Sequence, residues 1–141
     1  ATAVLAGLTA AAVVATGLFL TGTQAAQDEE RQARELADAM RRTGLREVYG
    51  DYWTCNRLTF ATGERVVCAV LDGALTPGQN RYRPYWEQVG RAERPGYVVE
   101  VGSAAERRLR RLLGEQADAA ALVEVAGYRV YHPPTAVRPW R

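Results

Sequence analysis

The chain contains no lysine, so each of its 18 basic residues is an arginine. This absence excludes a Schiff-base lysine and the phosphate-binding lysine of a Walker motif. One histidine, His132, and two cysteines are too few ligands for a convincing zinc site. The only serine, Ser103, precedes a helical stretch and is better explained as an N-cap than as a nucleophile. We therefore expect no metal ion, no cofactor and no catalytic residue in this chain.

Charged side chains are also missing from residues 1–27, and all 18 basic and 16 acidic groups follow this stretch. A helix needs about 20 apolar residues to cross about 30 Å of hydrocarbon. The pattern predicts a transmembrane helix over residues 1–24 that contacts membrane lipid and, through its small residues, other transmembrane helices. Two alternatives remain open: a secretory signal cleaved near Thr23-Gln24-Ala25, and a buried helix of a soluble protein.

The remainder of the chain alternates between helical stretches and short apolar runs. Strong helix formers predict a linker helix over residues 25–44, with acidic residues at its start and arginines near its end. Beyond it, three strands and three helices alternate, and the last helix opens with a capping box of Ser103 and Glu106. Ala126-Gly127 then separates two strands of a predicted hairpin.

This order of elements is typical of an α/β fold. We predict a small three-layer domain over residues 45–134, with a mostly parallel sheet that ends in an antiparallel C-terminal hairpin. Residues 135–141 are predicted to be a flexible tail. The net charge of +2 is too small and too mixed for a nucleic-acid partner.

Candidate binding residues follow the predicted strands. No glycine-rich phosphate loop is present, so we expect no nucleotide. In an open α/β sheet, ligands bind beyond the carboxyl ends of the strands, where the strand order reverses. Aromatic rings beside Asp, Asn and Arg suit a stacked sugar, a carboxylate or a phosphate. The residues that we expect there are Asp51, Tyr52, Trp53, Asn56, Arg57, Asn80, Arg81, Tyr82 and Tyr85.

A purely structural explanation of the same residues remains open. Asp51 would cap a helix, the aromatic rings would fill the edge of the core, and the arginines would pair with Glu64 or Glu87. The two cysteines also allow two interpretations. Outside the cytoplasm, Cys55 and Cys68 would form a disulfide between the first helix and the second strand. The alternative is a pair of small buried thiols.

Three segments carry a resemblance to a known family: GDYWTCNRLTFATGERVVCAV at residues 50–70, NRYRPYWEQV at 80–89 and RPGYVVEV at 94–101. They resemble the C-terminal soluble region of bacterial multi-spanning glycosyltransferases of the family-39-like, GT-C type. The resemblance covers residues 45–101. It implies a bacterial membrane protein that uses a lipid-linked sugar and whose last membrane helix leads into an extracytoplasmic domain.

The resemblance transfers no catalytic residue, because the catalytic acid of that family lies in an early loop that this chain does not contain. The expected function is therefore a non-catalytic accessory domain that contacts a lipid-linked sugar or a glycan acceptor. The sole methionine is Met40, so Ala1 is not an initiator residue, which agrees with a longer parent protein. The alternative function is a membrane-anchored extracytoplasmic binding or sensory module with no link to sugar transfer.

Overall fold

The computed structural model describes residues 24–140. The chain divides into two compact units, residues 1–32 and 33–141. Within the first unit, residues 24–32 are helical and exposed. The transmembrane helix predicted over residues 1–24 lies, apart from its final residue, outside the described part. Among residues 24–140, no helix has both the length and the apolar character that a bilayer span requires.

The helical run that includes residues 24–32 extends to residue 43, and we name residues 24–43 α1. A linker helix was expected over nearly the same range, 25–44. Gly44 follows α1 with a φ of 72°, the left-handed conformation that commonly ends a helix. The remaining helices are α2 (Tyr52–Ala61), α3 (Arg83–Arg91), α4 (Ala104–Leu113) and the short α5 (Ala117–Ala120), which a 3₁₀ turn at Gly114–Gln116 connects to α4.

Five strands form one mixed sheet, in the order β2-β1-β3-β5-β4. β1 pairs in parallel with β2 and β3, whereas β5 pairs antiparallel with β3 and β4. The α/β class and the antiparallel C-terminal hairpin are therefore confirmed, but the sheet is mixed and not mostly parallel, because two of its four strand pairings are antiparallel. The strands are β1 (Glu47–Gly50), β2 (Val67–Val70), β3 (Gly96–Glu100), β4 (Ala121–Val125) and β5 (Tyr128–Tyr131).

Hydrophobic side chains are buried on both faces of the sheet, because alternate residues of a strand point to opposite sides. Val48 faces Leu36 and Met40 of α1 and Leu58 of α2 in one cluster. The neighbouring Tyr49 belongs to the other cluster, which α3, α4 and α5 cover with Val89, Leu109, Leu113, Ala117 and Ala120. Helices therefore cover both faces, in three layers.

Residues 137–140 pack against the second of these clusters, where the sequence predicted a flexible tail. The Tyr97 hydroxyl donates to the Val137 carbonyl and accepts the Val137 N–H at 3.0 Å. Burial raises the pKa of Tyr97, so the hydroxyl keeps its proton. The Trp140 ring lies 5.3 Å from Tyr49 and 5.6 Å from Trp86, measured between ring centroids. Val137 and Trp140 of the tail are thus partly buried and pack against the core.

A buried carboxylate joins α4 to the antiparallel hairpin. Ser103 caps α4 by accepting the Glu106 N–H at 3.1 Å, as the capping box predicts. The Glu106 side chain, only 4% exposed, accepts the Gly102 N–H at 2.6 Å, the Tyr131 hydroxyl at 3.0 Å and a guanidinium N–H of Arg129. Burial alone would raise the pKa of Glu106, but these three partners outweigh it, and the pKa is lowered.

We expect Glu106→Gln to lower the free energy of unfolding by about 1–3 kcal/mol at neutral pH, because it leaves buried donors poorly matched. The folded-state pKa of Glu106 lies below its ordinary value of 4.5. Its contribution is therefore complete above that value and is lost as the pH falls through the folded-state pKa. Urea unfolding at several pH values measures both effects.

Glu115→Gln is the matched control, because Glu115 is exposed on the 3₁₀ turn that follows α4. This control is expected to retain both the stability and the pH dependence of the parent chain. An acid-induced loss of stability that is equally steep in Glu106→Gln and in the parent chain would contradict the assignment to Glu106.

Candidate functional site

The first turn of α2 is fixed by Asp51. The Asp51 carboxylate accepts the N–H groups of Trp53 at 2.9 Å and Thr54 at 3.1 Å, and it also accepts the Thr54 hydroxyl. It therefore satisfies donors that the start of a helix leaves unpaired. This is the structural role that the sequence left open for Asp51. Capping occupies both of its oxygens.

The loop between β2 and α3 folds back along the outer edge of β2. Asp72 organises its first turn by accepting the N–H groups of Ala74 and Thr76, each at 2.9 Å, and the Thr76 hydroxyl at 2.6 Å. The hydrogen bond from the Thr76 side chain is the main reason why the pKa of Asp72 is lowered. Leu75, with a φ of 57°, is buried in the core and anchors the loop.

Asn80 ends this loop by pairing with the edge of the sheet. Its side-chain oxygen accepts the Val70 N–H at 2.7 Å, and its side-chain nitrogen donates to the Val70 carbonyl at 3.0 Å. The amide thus takes the place of a neighbouring strand at this residue, which protects an edge that would otherwise be open. Asn80 is used structurally, and it sets the position of Arg81 and Tyr82.

A cavity of about 400 Å³ lies over the outer edge of β2, between α2 and residues 79–85. We call it the α2 cavity. Six of the nine predicted binding residues line it, whereas Asp51, Trp53 and Arg57 do not. Its lining consists of Tyr52, Cys55, Asn56, Thr59, Phe60, Gly63, Glu64, Cys68, Val70, Gln79, Asn80, Arg81, Tyr82 and Tyr85.

Aromatic rings and two charged groups meet in the α2 cavity. The Arg81 guanidinium carbon lies 5.4 Å from the centre of the Tyr52 ring, a cation–π distance. The Tyr82 and Tyr85 rings meet edge to face at 4.7 Å. Burial is the first cause that raises the pKa of Tyr85, and the hydrogen bond that its hydroxyl donates to Glu64 is the second. A carboxylate and a guanidinium are therefore held beside open ring faces.

Main-chain groups of β2 form the floor of the α2 cavity. Val67 and Leu71 donate their N–H groups to β1 and its flank, so the intervening Cys68 and Val70 direct their N–H and C=O groups outward. Asn80 covers Val70. Cys68 therefore presents one donor and one acceptor on the side where the cavity lies.

The structure joins Cys55 and Cys68 in a disulfide that connects α2 to β2 beneath the α2 cavity. Helix and sheet layers normally pack about 10 Å apart, but these Cα atoms are 5.0 Å apart. Gly50 lies beside the disulfide. A Cβ at that position would be in ordinary contact with the two sulfur atoms, at 3.4 Å and 3.5 Å, but would lie only 3.2 Å from the Val98 carbonyl oxygen.

A second, smaller cavity of about 160 Å³ occupies the place where the sequence predicted the ligand, beyond the carboxyl ends of β1 and β3. Asp51 and Ser103 line it together with mainly apolar residues, including Leu71 and Leu75. The prediction therefore assigned to one site residues that lie at two separate cavities. The helix that starts after Asp51 carries Tyr52 and Asn56 to the outer edge of β2, away from the point where the strand order reverses.

Sequence reasoning missed Glu64 and Phe60 as cavity residues. Glu64 was considered only as a partner for arginines, but it bonds Tyr85, while Arg83 pairs with Glu87 at 3.0 Å. Gly63 and Glu64 both have positive φ values, 56° and 60°, which turn the chain back after α2. The glycine at the end of α2 is the sequence feature that could have indicated this turn.

Comparison with protein-family models, with characterised proteins and with solved structures found no match. Within residues 24–140, no group of three or more His, Cys, Asp or Glu side chains could hold a metal ion. The chemistry of the α2 cavity therefore follows from its own geometry.

We expect the double variant Cys55→Ser/Cys68→Ser to lose about 2–4 kcal/mol of unfolding free energy, because the disulfide restricts the unfolded chain. Urea unfolding of the variant, and of the parent chain with and without reductant, measures this loss. The unreduced parent chain should not react with a thiol reagent in urea. Reaction of both cysteines of the unreduced parent chain with the thiol reagent would contradict the disulfide.

Proposed function

We propose that this chain is a non-catalytic accessory domain of a membrane glycosyltransferase-like protein, and that the α2 cavity holds a sugar unit of a lipid-linked donor or a glycan acceptor. The observation that carries the proposal is the convergence of open aromatic rings with Arg81 and Glu64 around one cavity. Its volume of about 400 Å³ also falls within the range of about 300–1,000 Å³ that small-molecule sites occupy.

The aromatic rings and the hydrogen-bonding groups of the α2 cavity match the two kinds of surface that a pyranose presents. The C–H face of a sugar ring packs against an aromatic face, and the rings of Phe60 and Tyr82 are 89% and 57% exposed. Sugar hydroxyls need both donors and acceptors. Arg81 donates and Glu64 accepts, while the main chain of Cys68 offers one group of each kind.

The non-catalytic role is supported by the number of carboxylates. Among the described residues, Glu64 is the only acidic side chain that lines the α2 cavity. Most glycoside hydrolases use two carboxyl groups on opposite sides of the scissile bond. Glu64 also bonds a tyrosine that burial keeps protonated. This set of groups suits holding a sugar without transferring it.

Binding to sugars tests the proposal directly. The 141-residue chain in detergent micelles would be titrated with methyl hexosides and with a short-chain polyprenyl-phosphate hexose, and binding would be followed by ligand-observed NMR. We expect Glu64→Gln to weaken binding about 10-fold or more, because hydrogen bonds to charged groups contribute about 1.5–3 kcal/mol. We expect a loss of about 2- to 10-fold for Tyr82→Ala, from about 0.5–1.5 kcal/mol of stacking.

Arg108→Gln and Leu112→Ala are matched controls on the exposed face of α4, far along the chain from the α2 cavity. Both should bind like the parent chain. A failure of every sugar to bind would contradict the role in sugar recognition. Transfer or hydrolysis of the polyprenyl-phosphate hexose by this chain alone would contradict the non-catalytic role.

A further inference from the structure

Two opposite charges line the α2 cavity without pairing with each other. Among the described residues that line it, Arg81 and Glu64 are the only charged ones. No guanidinium nitrogen of Arg81 lies within 4 Å of a carboxylate oxygen of Glu64, and neither side chain has another ion-pair partner within residues 24–140. Arg83 and Glu87, slightly further along the chain, do form an ion pair, at 3.0 Å. The cavity thus presents a positive and a negative group at separate positions.

Each of these two charges is held by a tyrosine of the cavity. The Arg81 guanidinium carbon lies 5.4 Å from the centre of the Tyr52 ring, a cation–π contact with α2. The Tyr85 hydroxyl donates a hydrogen bond to Glu64, and because burial and this bond both raise the pKa of Tyr85, the hydroxyl keeps its proton. Glu64 also has a φ of 60°, which is uncommon for a residue other than glycine. The two tyrosines therefore hold the opposite charges apart.

Three neighbouring charged side chains have partners of their own. Asp51 caps α2 by accepting the N–H groups of Trp53 and Thr54, and it does not line the α2 cavity. Arg83 and Glu87 pair with each other and do not line it either. A ligand in the cavity therefore meets one positive and one negative group in the lining, with no excess of either sign.

A ligand with both an acidic and a basic group fits this lining better than a ligand with a single charge. A guanidinium binds a carboxylate or a phosphate through two parallel hydrogen bonds, and a carboxylate accepts hydrogen bonds from an ammonium group. A purely anionic ligand would satisfy Arg81 but bring a like charge toward Glu64, and a purely cationic ligand would do the reverse. Only a zwitterion interacts favourably with both side chains.

We propose that the sugar held in the α2 cavity is zwitterionic: a hexose that carries an amino group, bound by Glu64, and an acidic group, bound by Arg81. This proposal rests on the proposed function, because it requires that the α2 cavity binds a sugar. It adds the chemical class of that sugar and names the two residues that select it. The acidic group is a phosphate or a carboxylate, since both bind a guanidinium in the same way.

Four sugars that differ in their charged groups test the proposal: a methyl hexoside, a methyl hexosaminide, a hexose phosphate and a hexosamine phosphate. Each would be titrated into the 141-residue chain in detergent micelles and followed by ligand-observed NMR. We expect the hexosamine phosphate to bind about 10-fold or more tightly than each of the other three, because only this sugar forms charged hydrogen bonds with both side chains. A hexosaminuronic acid, which has a carboxylate in place of the phosphate, distinguishes the two acidic groups.

Variants separate the contributions of the two charges. Arg81→Gln should remove the preference for sugars with a phosphate and keep the preference for amino sugars, whereas Glu64→Gln should do the reverse. Arg83→Gln/Glu87→Gln is the matched control, because it removes one charge of each sign from an exposed pair on α3 that lies outside the lining. This control should keep both preferences. The circular dichroism spectrum and the urea midpoint of each variant confirm that it remains folded.

Equal binding of the methyl hexoside and the hexosamine phosphate would overturn this proposal and leave the proposed function in place. A preference that survives both Arg81→Gln and Glu64→Gln, or one that the control variant abolishes, would also overturn it. Phosphoethanolamine, a zwitterion without a sugar ring, identifies failure of the proposed function. If it bound as tightly as the hexosamine phosphate while the methyl hexoside did not bind, the role in sugar recognition would be rejected, and this proposal with it.

Discussion

The close packing of α2 against the parallel half of the sheet is the constraint on which the rest of the site depends. The disulfide between Cys55 and Cys68 lies next to Gly50, at the end of β1. The disulfide then holds α2 beside the outer strand. Without this attachment, the helix that forms one wall of the α2 cavity would lose its covalent link to the outer strand.

The opposite wall depends on how the edge of the sheet is closed. A free strand edge invites pairing with other chains, and natural proteins usually cover it. Here a side-chain amide and a folded loop cover one end of β2, and the main chain of Cys68 remains directed toward the cavity. Edge protection and the proposed sugar binding thus use the same segment. The aromatic rings near residues 81–85 are placed by a loop whose first requirement is to protect the sheet.

Local sequence patterns predicted the helices and strands well, because the spacing of apolar residues in each element reflects which of its faces are buried. The apolar run around β2 predicted a strand covered on both faces, and all four residues of that strand are buried. The packed tail was not predictable in this way, since Tyr97 and Val137 are 40 residues apart and the tail has no periodicity.

The predicted transmembrane helix stays a prediction, because its residues lie outside the described range. For the site, Tyr52 and Asn56 of α2 line the cavity as predicted, whereas Trp53 does not line it. Glu64 was missed because a charged residue after a helix is ordinarily solvated.

The contact of Trp140 with Tyr49 affects the order in which the domain folds during synthesis. These two residues are separated by most of the domain, so the ring cluster around Tyr49 and Trp86 stays uncovered while the intervening segments are synthesised. Contacts of such long sequence separation form late, because loop closure opposes them. The face of the sheet that carries α3 and α4 is therefore completed only after residue 140 has left the ribosome, and the face that carries α1 and α2 likewise needs Val130 of β5.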